Sequence, residues 1–177
     1  MPAGYDGDEV ATALAAQLRT VTFADQPADA VTALLIDRVA DWAEQRGWRV
    51  YRRAASVVRL PPPMDHQHSV LDVAVARPAG LPLAIEVDHG SRKRTVDKLI
   101  AEAAAGRIPI LVRWGGRKAT APAAPVRLIA IDVDQHAGGR FSRSALRPPA
   151  HSVPLPAPGP SDGVENQGAA APLPLDF

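Results

Sequence analysis

The sequence predicts an α/β domain: a mixed β-sheet of about four to five strands flanked by helices, followed by a disordered C-terminal tail. Three observations predict it. Residues 83–114 read as strand, helix, strand, so the two strands should be parallel neighbours joined by a right-handed crossover. Residues 71–88, LDVAVARPAGLPLAIEVD, read as two short apolar strands around a turn. From about Ala145 onward the apolar period stops and Pro, Ala and Gly take over.

The elements follow in order. Residues 8–20, DEVATALAAQLRT, suit a helix with acids at its positive end. Residues 28–46 suit a longer one. Pro27 fits its first turn, Val31, Leu34, Leu35, Val39 and Trp42 recur at helical spacing, and Gly47 stops it. WRVYRR at 48–53 reads as a strand that ASVVRL extends or follows as a separate short strand, and PPPMDHQH at 61–68 is a loop. After the hairpin, residues 95–105 form a helix with Val96, Leu99, Ile100 and Ala103 on one face, ending at Gly106. IPILVRW at 108–114 and VRLIAIDV at 126–133 are strands of the buried type. The expected organisation is an N-terminal helical extension over residues 1–26, one domain over 27–144, and a Pro/Ala-rich tail over 145–177. The PLPL near the end of that tail is either a docking motif for a protein partner or plain solubilising sequence.

Composition sets limits. The chain has 177 residues, 46% of them hydrophobic, enough for one domain with a sizeable core. The formal charge of +1 gives no global field toward nucleic acid or membrane, so a binding face must come from local clustering. With no cysteine there is no disulfide framework, thiolate metal site or thiol nucleophile. No run reaches the length of a membrane-spanning helix, and MPAGYDGDEV lacks the apolar run of a signal peptide, so a cytoplasmic protein is expected. There is no Gly-rich phosphate loop, nucleophile elbow or HExxH. The only lysines are Lys93, Lys98 and Lys118.

Three acids stand inside the apolar hairpin. Acids are poor strand formers and costly to bury, so Asp72, Glu86 and Asp88 need a reason to be there. Side chains alternate along a strand, which puts Leu71, Val73 and Val75 on one face and Asp72, Ala74 and Ala76 on the other. Likewise Leu83, Ile85 and Val87 oppose Ala84, Glu86 and Asp88. A turn centred near residue 79 sets paired positions to a sum of about 158, which places Asp72 opposite Glu86 and Asp88 opposite Val70. Opposed β-carbons lie roughly 4.5–5.5 Å apart, where like charges repel unless a cation lies between them. A hard divalent ion, Mg²⁺ or Mn²⁺, suits such a pair, with the alanines leaving room for it. Asp88, about 6.6–6.8 Å further along the same face, can join the ion or hold its water. The plainer alternative is a solvated outer face of an edge hairpin.

Asp72, then Glu86-Val87-Asp88 closing an apolar strand, resembles the PD-(D/E)XK nuclease superfamily, the restriction-endonuclease-like fold. The element order over about residues 28–115 is similar to that family's αβββαβ core. IEVDHG is most similar to the branch related to very-short-patch-repair endonucleases, and LVRW resembles the strand that follows the helix there. The resemblance implies a metal-dependent endonuclease acting on DNA, with Asp72 and Glu86 as metal ligands. Leu71 replaces the motif's proline. Asp88 replaces its catalytic lysine, so water activation passes to a third carboxylate or to a relocated lysine, Lys93 or Lys98. A catalytically inactive module of the same fold, binding nucleic acid or protein, is the alternative.

Two basic groups flank the acids at one edge of the predicted sheet. Arg92, Lys93 and Arg94 precede the helix; Arg113, Arg117 and Lys118 follow the next strand. Around an acidic metal centre they suit a DNA backbone, whose phosphates are contacted without regard to sequence. His66 and His68 with nearby acids suit a transition metal, though a polar loop is the plainer reading. His89 is either a general base or a loop residue. Asp37, Asp41 and Glu44 belong to the wet face of the long helix, from which one can supply an extra ligand.

Overall fold

A computed structural model describes residues 3–90, 92–115 and 120–144. The expected disordered tail, with its PLPL segment, lies outside the described residues, as do Arg117 and Lys118. The elements are α1 (Ala3–Arg19), β1 (Phe23–Pro27), α2 (Ala28–Glu44), β2 (Arg49–Arg59), β3 (His68–Ala76), β4 (Leu83–His89), α3 (Lys93–Ala104), β5 (Ile108–Trp114), β6 (Arg127–Ile131), β7 (Asp134–His136) and β8 (Arg140–Arg143). The fold is α/β. Five strands form a mixed sheet in the order β2-β3-β4-β5-β6, antiparallel through β4 and parallel from β4 to β6. A second, three-stranded sheet has the order β1-β8-β7.

The elements form for local reasons. Gly47, at φ +72, turns the chain after α2, and Gly106, at φ +81, does so after α3. ASVVRL extends WRVYRR into the single long strand β2. β4 and β5 are almost continuously buried because helices cover both faces of the sheet there. On one face Val73, Val75, Ile85, Ile110, Val112 and Trp114 pack with Leu14 and Leu18 of α1 and Val31, Leu35, Val39 and Trp42 of α2. On the other, Leu71, Ala84, Leu111 and Val126 pack with Leu99 of α3.

Two expectations are revised. α1 is not an N-terminal extension. Its Leu14 and Leu18 are fully buried in the larger core, and β1, all but its last residue inside the segment assigned to that extension, pairs with β8. The small sheet was not foreseen, because FADQP, DQH and RFSR are too short and polar to carry a two-residue period. Leu71 also leaves the face expected for it. Val73 and Val75 pack in the larger core under α2, whereas Leu71 packs with Ala84, Leu99 and Leu111 under α3. The break falls at Asp72. Across the β2–β3 ladder, between the pairs Arg52–Val73 and Ala54–Leu71, stands Arg53 at φ +53. A left-handed residue interrupts the regular pleat of a strand. Among the described residues no helix is long and apolar enough to cross a membrane.

Candidate functional site

The hairpin register is the expected one. Val73 pairs with Ile85, Ala74 with Ala84 and Val75 with Leu83. The same count puts Asp72 opposite Glu86, but there the ladder stops. Instead of a backbone pair, the Val87 N–H donates to Asp72 Oδ2 at 2.8 Å. The side chain thus satisfies a donor that the diverging strands would leave open. The expected pairing of Asp88 with Val70 is not formed: Val70 pairs with Ala55 of β2, and its carbonyl accepts from Lys98 Nζ at 2.7 Å.

Lys98 enters this gap from α3. Its ammonium lies 2.8 Å from Glu86 Oε1, with both side chains largely buried. The contact has ion-pair distance without hydrogen-bond alignment, and Glu86 Oε1 is buried with no hydrogen-bond partner. Burial pushes the Glu86 carboxyl up to about 7; Lys98 opposes the shift and the charge of Asp72 adds to it. Burial raises Asp72 as well, opposed by its bond from Val87 and by the charges of Lys98 and Arg53, while Asp88 adds to the rise. Two desolvated acids facing each other therefore hold their protons more tightly than free carboxylates do. Such a pair favours a nearby cation, and Lys98 is the one already there.

Asp88 serves the start of α3. It accepts from Thr95 Oγ1 at 3.2 Å, and Arg92 Nε lies 3.8 Å away. Arg113 of β5 is buried and stands in register beside Asp88 across the parallel ladder. A cleft of about 300 Å³ opens over Glu86, lined by Ser69, Arg92, Arg94, Thr95 and Lys98 among others. Arg92 and Arg94 thus border the acids, as the sequence suggested. Lys93 does not: it is exposed and pairs with Asp97, 2.7 Å away on its own helix.

The histidines stay apart from this centre. His89 shares the opposite face of β4 from Glu86 and stacks on Trp114, ring centroids 4.1 Å apart. His68 Nδ1 is 2.7 Å from the Ser56 carbonyl, and His66 contacts Gln67. Asp37 of α2 is bound by Arg52 of β2. Among the described residues no three His, Cys, Asp or Glu side chains gather as an ion site. The two-carboxylate pair is what the site offers a hard cation. That fits Mg²⁺, which commonly takes one or two carboxylates and fills its remaining positions with water and phosphate.

Sequence reasoning missed Glu102. It is fully buried in α3, one turn beyond Lys98, and it accepts from the Ser56 hydroxyl and the Val57 N–H (2.8 Å) while pairing with Arg107. It ties α3 to the edge strand β2 and so sets where Lys98 meets Glu86. Its signal was present: in KLIAEAA it shares the buried face of the helix with Leu99. No protein-family model, curated protein or solved structure matches the chain.

Proposed function

We propose that the chain is a divalent-metal-dependent nuclease that hydrolyses DNA phosphodiester bonds. The observation that carries this reading is the convergence of Asp72, Glu86 and Lys98 where β3 and β4 part, beneath a cleft bordered by Arg92 and Arg94. Asp72 and Glu86 would hold Mg²⁺ or Mn²⁺. Bound there, the ion would polarise the phosphate and lower the pKa of a water. The chain's own residues do the rest. Lys98 keeps a positive charge beside the acids, where negative charge develops on the phosphate during hydrolysis. Arg92 and Arg94 bind backbone phosphates and position the strand without reading bases. Asp88 holds the start of α3 through Thr95 and Arg92. The proposed setting is cytoplasmic, and the C-terminal tail is proposed to dock a protein partner.

A second reading, a catalytically inactive nuclease-fold module that binds nucleic acid or protein, draws on two observations. Asp88 stands where the motif has its lysine, and Lys98 already spends its charge on Glu86 and the Val70 carbonyl. Incubation of the purified chain with plasmid and Mg²⁺ or Mn²⁺ separates the two. Nicking or linearisation that Glu86→Ala abolishes supports the enzyme. Calorimetry that detects no binding of either metal supports the module.

A further inference from the structure

Two residues other than glycine have positive φ among the described residues, Asp25 and Arg53. Asp25 is accounted for by the fold. It sits at the bulge of the β1–β8 ladder, its N–H donates to Ser142 Oγ at 2.9 Å, and its carboxylate pairs with Arg140. Aspartate is also one of the residue types that tolerate this backbone.

Arg53 has no such account. It is exposed on the edge strand β2, and its side chain makes no hydrogen bond or ion pair with the described residues. Glycine, asparagine or aspartate would occupy φ +53 with less strain. The fold gains no hydrogen bond or ion pair from a long cationic side chain held there. Strain that the fold does not use is characteristic of sites that bind or react. The position is also specific: Arg53 stands across the ladder from Asp72, where the pleat breaks and β3 turns its acid toward β4. Arg92, Arg94 and Lys98 approach the acids from the α3 side. On the β2 side, Arg53 is the cation whose charge reaches Asp72.

We propose that Arg53 is a substrate-contacting residue: its guanidinium binds a backbone phosphate of a DNA strand lying against Asp72, opposite the phosphates held by Arg92 and Arg94. A guanidinium suits this role because its planar fork matches phosphate oxygens in pairs. The inference rests on the nuclease reading and adds a second wall to the strand's path.

The test compares the full-length wild type with Arg53→Gly, Arg53→Asn and Arg53→Lys. A short fluorescein-labelled DNA duplex is titrated in Ca²⁺, over a range of salt concentrations, and thermal midpoints are recorded. Gly and Asn remove the charge but accept the backbone, so their midpoints should be no lower than wild type. Their affinity should fall about tenfold, and the slope of log affinity against log salt should flatten by about one, the signature of one lost phosphate contact. Lys should keep the slope. Wild-type affinity and slope in Arg53→Gly would overturn the inference while leaving the nuclease reading intact. A large drop in midpoint for both Gly and Asn would overturn it by assigning Arg53 to the fold. A wild-type chain that does not bind the duplex overturns both readings together.

Discussion

Glu86 is ionised at a cost. Its carboxyl titrates near 7 in the fold against an ordinary 4.5. Below pH 4.5 the group is protonated whether the chain is folded or not, and nothing is lost. Between the two values the unfolded chain releases the proton and the folded one keeps it, so stability falls as pH rises. Above 7 the full penalty is present, up to about 3 kcal/mol. Urea unfolding of wild type across this range should show the decline, and Glu86→Gln should flatten it. Above pH 7, Mn²⁺ should raise the thermal midpoint of wild type and leave that of Glu86→Gln unmoved; an equal rise in both would remove Glu86 from the proposed metal site. Lys98→Ala strands Glu86 and the Val70 carbonyl and should lower stability; in its folded fraction the proposed plasmid cleavage should fall about 100-fold or more, the scale for removing one group that stabilises developing charge. Much of this pair was legible beforehand. The acids inside an apolar hairpin, and a turn that sets the register, bring Asp72 and Glu86 together by counting alone. Lys98 and Lys93 were equal candidates, yet Lys98 precedes the buried Leu99, whereas Lys93 has Asp97 four residues on, the spacing of a solvated pair. Arg53 was not legible, because nothing in VYRRAAS signals a left-handed residue within a strand.

At the scale of elements, α3 is the part that turns a sheet face into a site. One side of it packs Leu99 on Leu71, Ala84 and Leu111, and one turn on, Glu102 binds the hydroxyl and backbone of β2. The carboxylate reaches across to the edge strand because β2 runs long past the hairpin, from Arg49 to Arg59. Glu102→Ala leaves Ser56, the Val57 N–H and Arg107 without their shared partner. The expected loss is about 3 kcal/mol or more, since removing one member of a buried charged network strands the others. Cleavage by the surviving folded fraction should fall as well, because Lys98 rides on the same helix. Chemical denaturation and single-turnover cleavage measure the two effects separately. A variant with wild-type stability would show that α3 is held by its apolar face alone. The strands of the crossover were readable from the sequence, since IPILVRW and LAIEV are apolar but for Arg113 and Glu86. The expected alternation in β3 failed at one residue, Leu71, because the rule assumes an unbroken pleat.

At the scale of the whole molecule, the N-terminal segment belongs to the fold that carries the site. α1 places Leu14 and Leu18 in the larger core, and Arg143 of β8 donates to the Leu18 and Val21 carbonyls at 2.8 and 2.6 Å, closing the end of that helix. Arg77, in the turn after β3, pairs with Asp6, and Arg127 of β6 lies 2.8 Å from Asp8, so α1 is tied by charge to that turn and to β6, on which it also packs. Arg77 holds the Asp6 carboxyl below its ordinary 3.8. That tie is fully present above 3.8 and is lost as pH falls through the lowered value. Acid should therefore loosen α1, an effect that Asp6→Asn removes. The sequence did not reveal this integration, because ATALAAQLR reads equally as an amphipathic appendage or as a core helix, and periodicity does not name the surface it covers. Deletion decides between them. Removing residues 1–26 takes Val10, Leu14, Leu18 and Val21 out of the core, uncovers the α2 and β6 surfaces they pack on, and takes away the β1 partner of β8. Each large apolar side chain returned to water costs about 1.5–3 kcal/mol, so the loss from several of them reaches the 5–15 kcal/mol that holds a typical domain. The truncated chain should lose its cooperative thermal transition, expose apolar surface to a fluorescent dye and show no divalent-metal response. A truncated chain that unfolds cooperatively near the wild-type midpoint would return α1 and β1 to the status of an extension and confine the site to the domain that begins at Pro27.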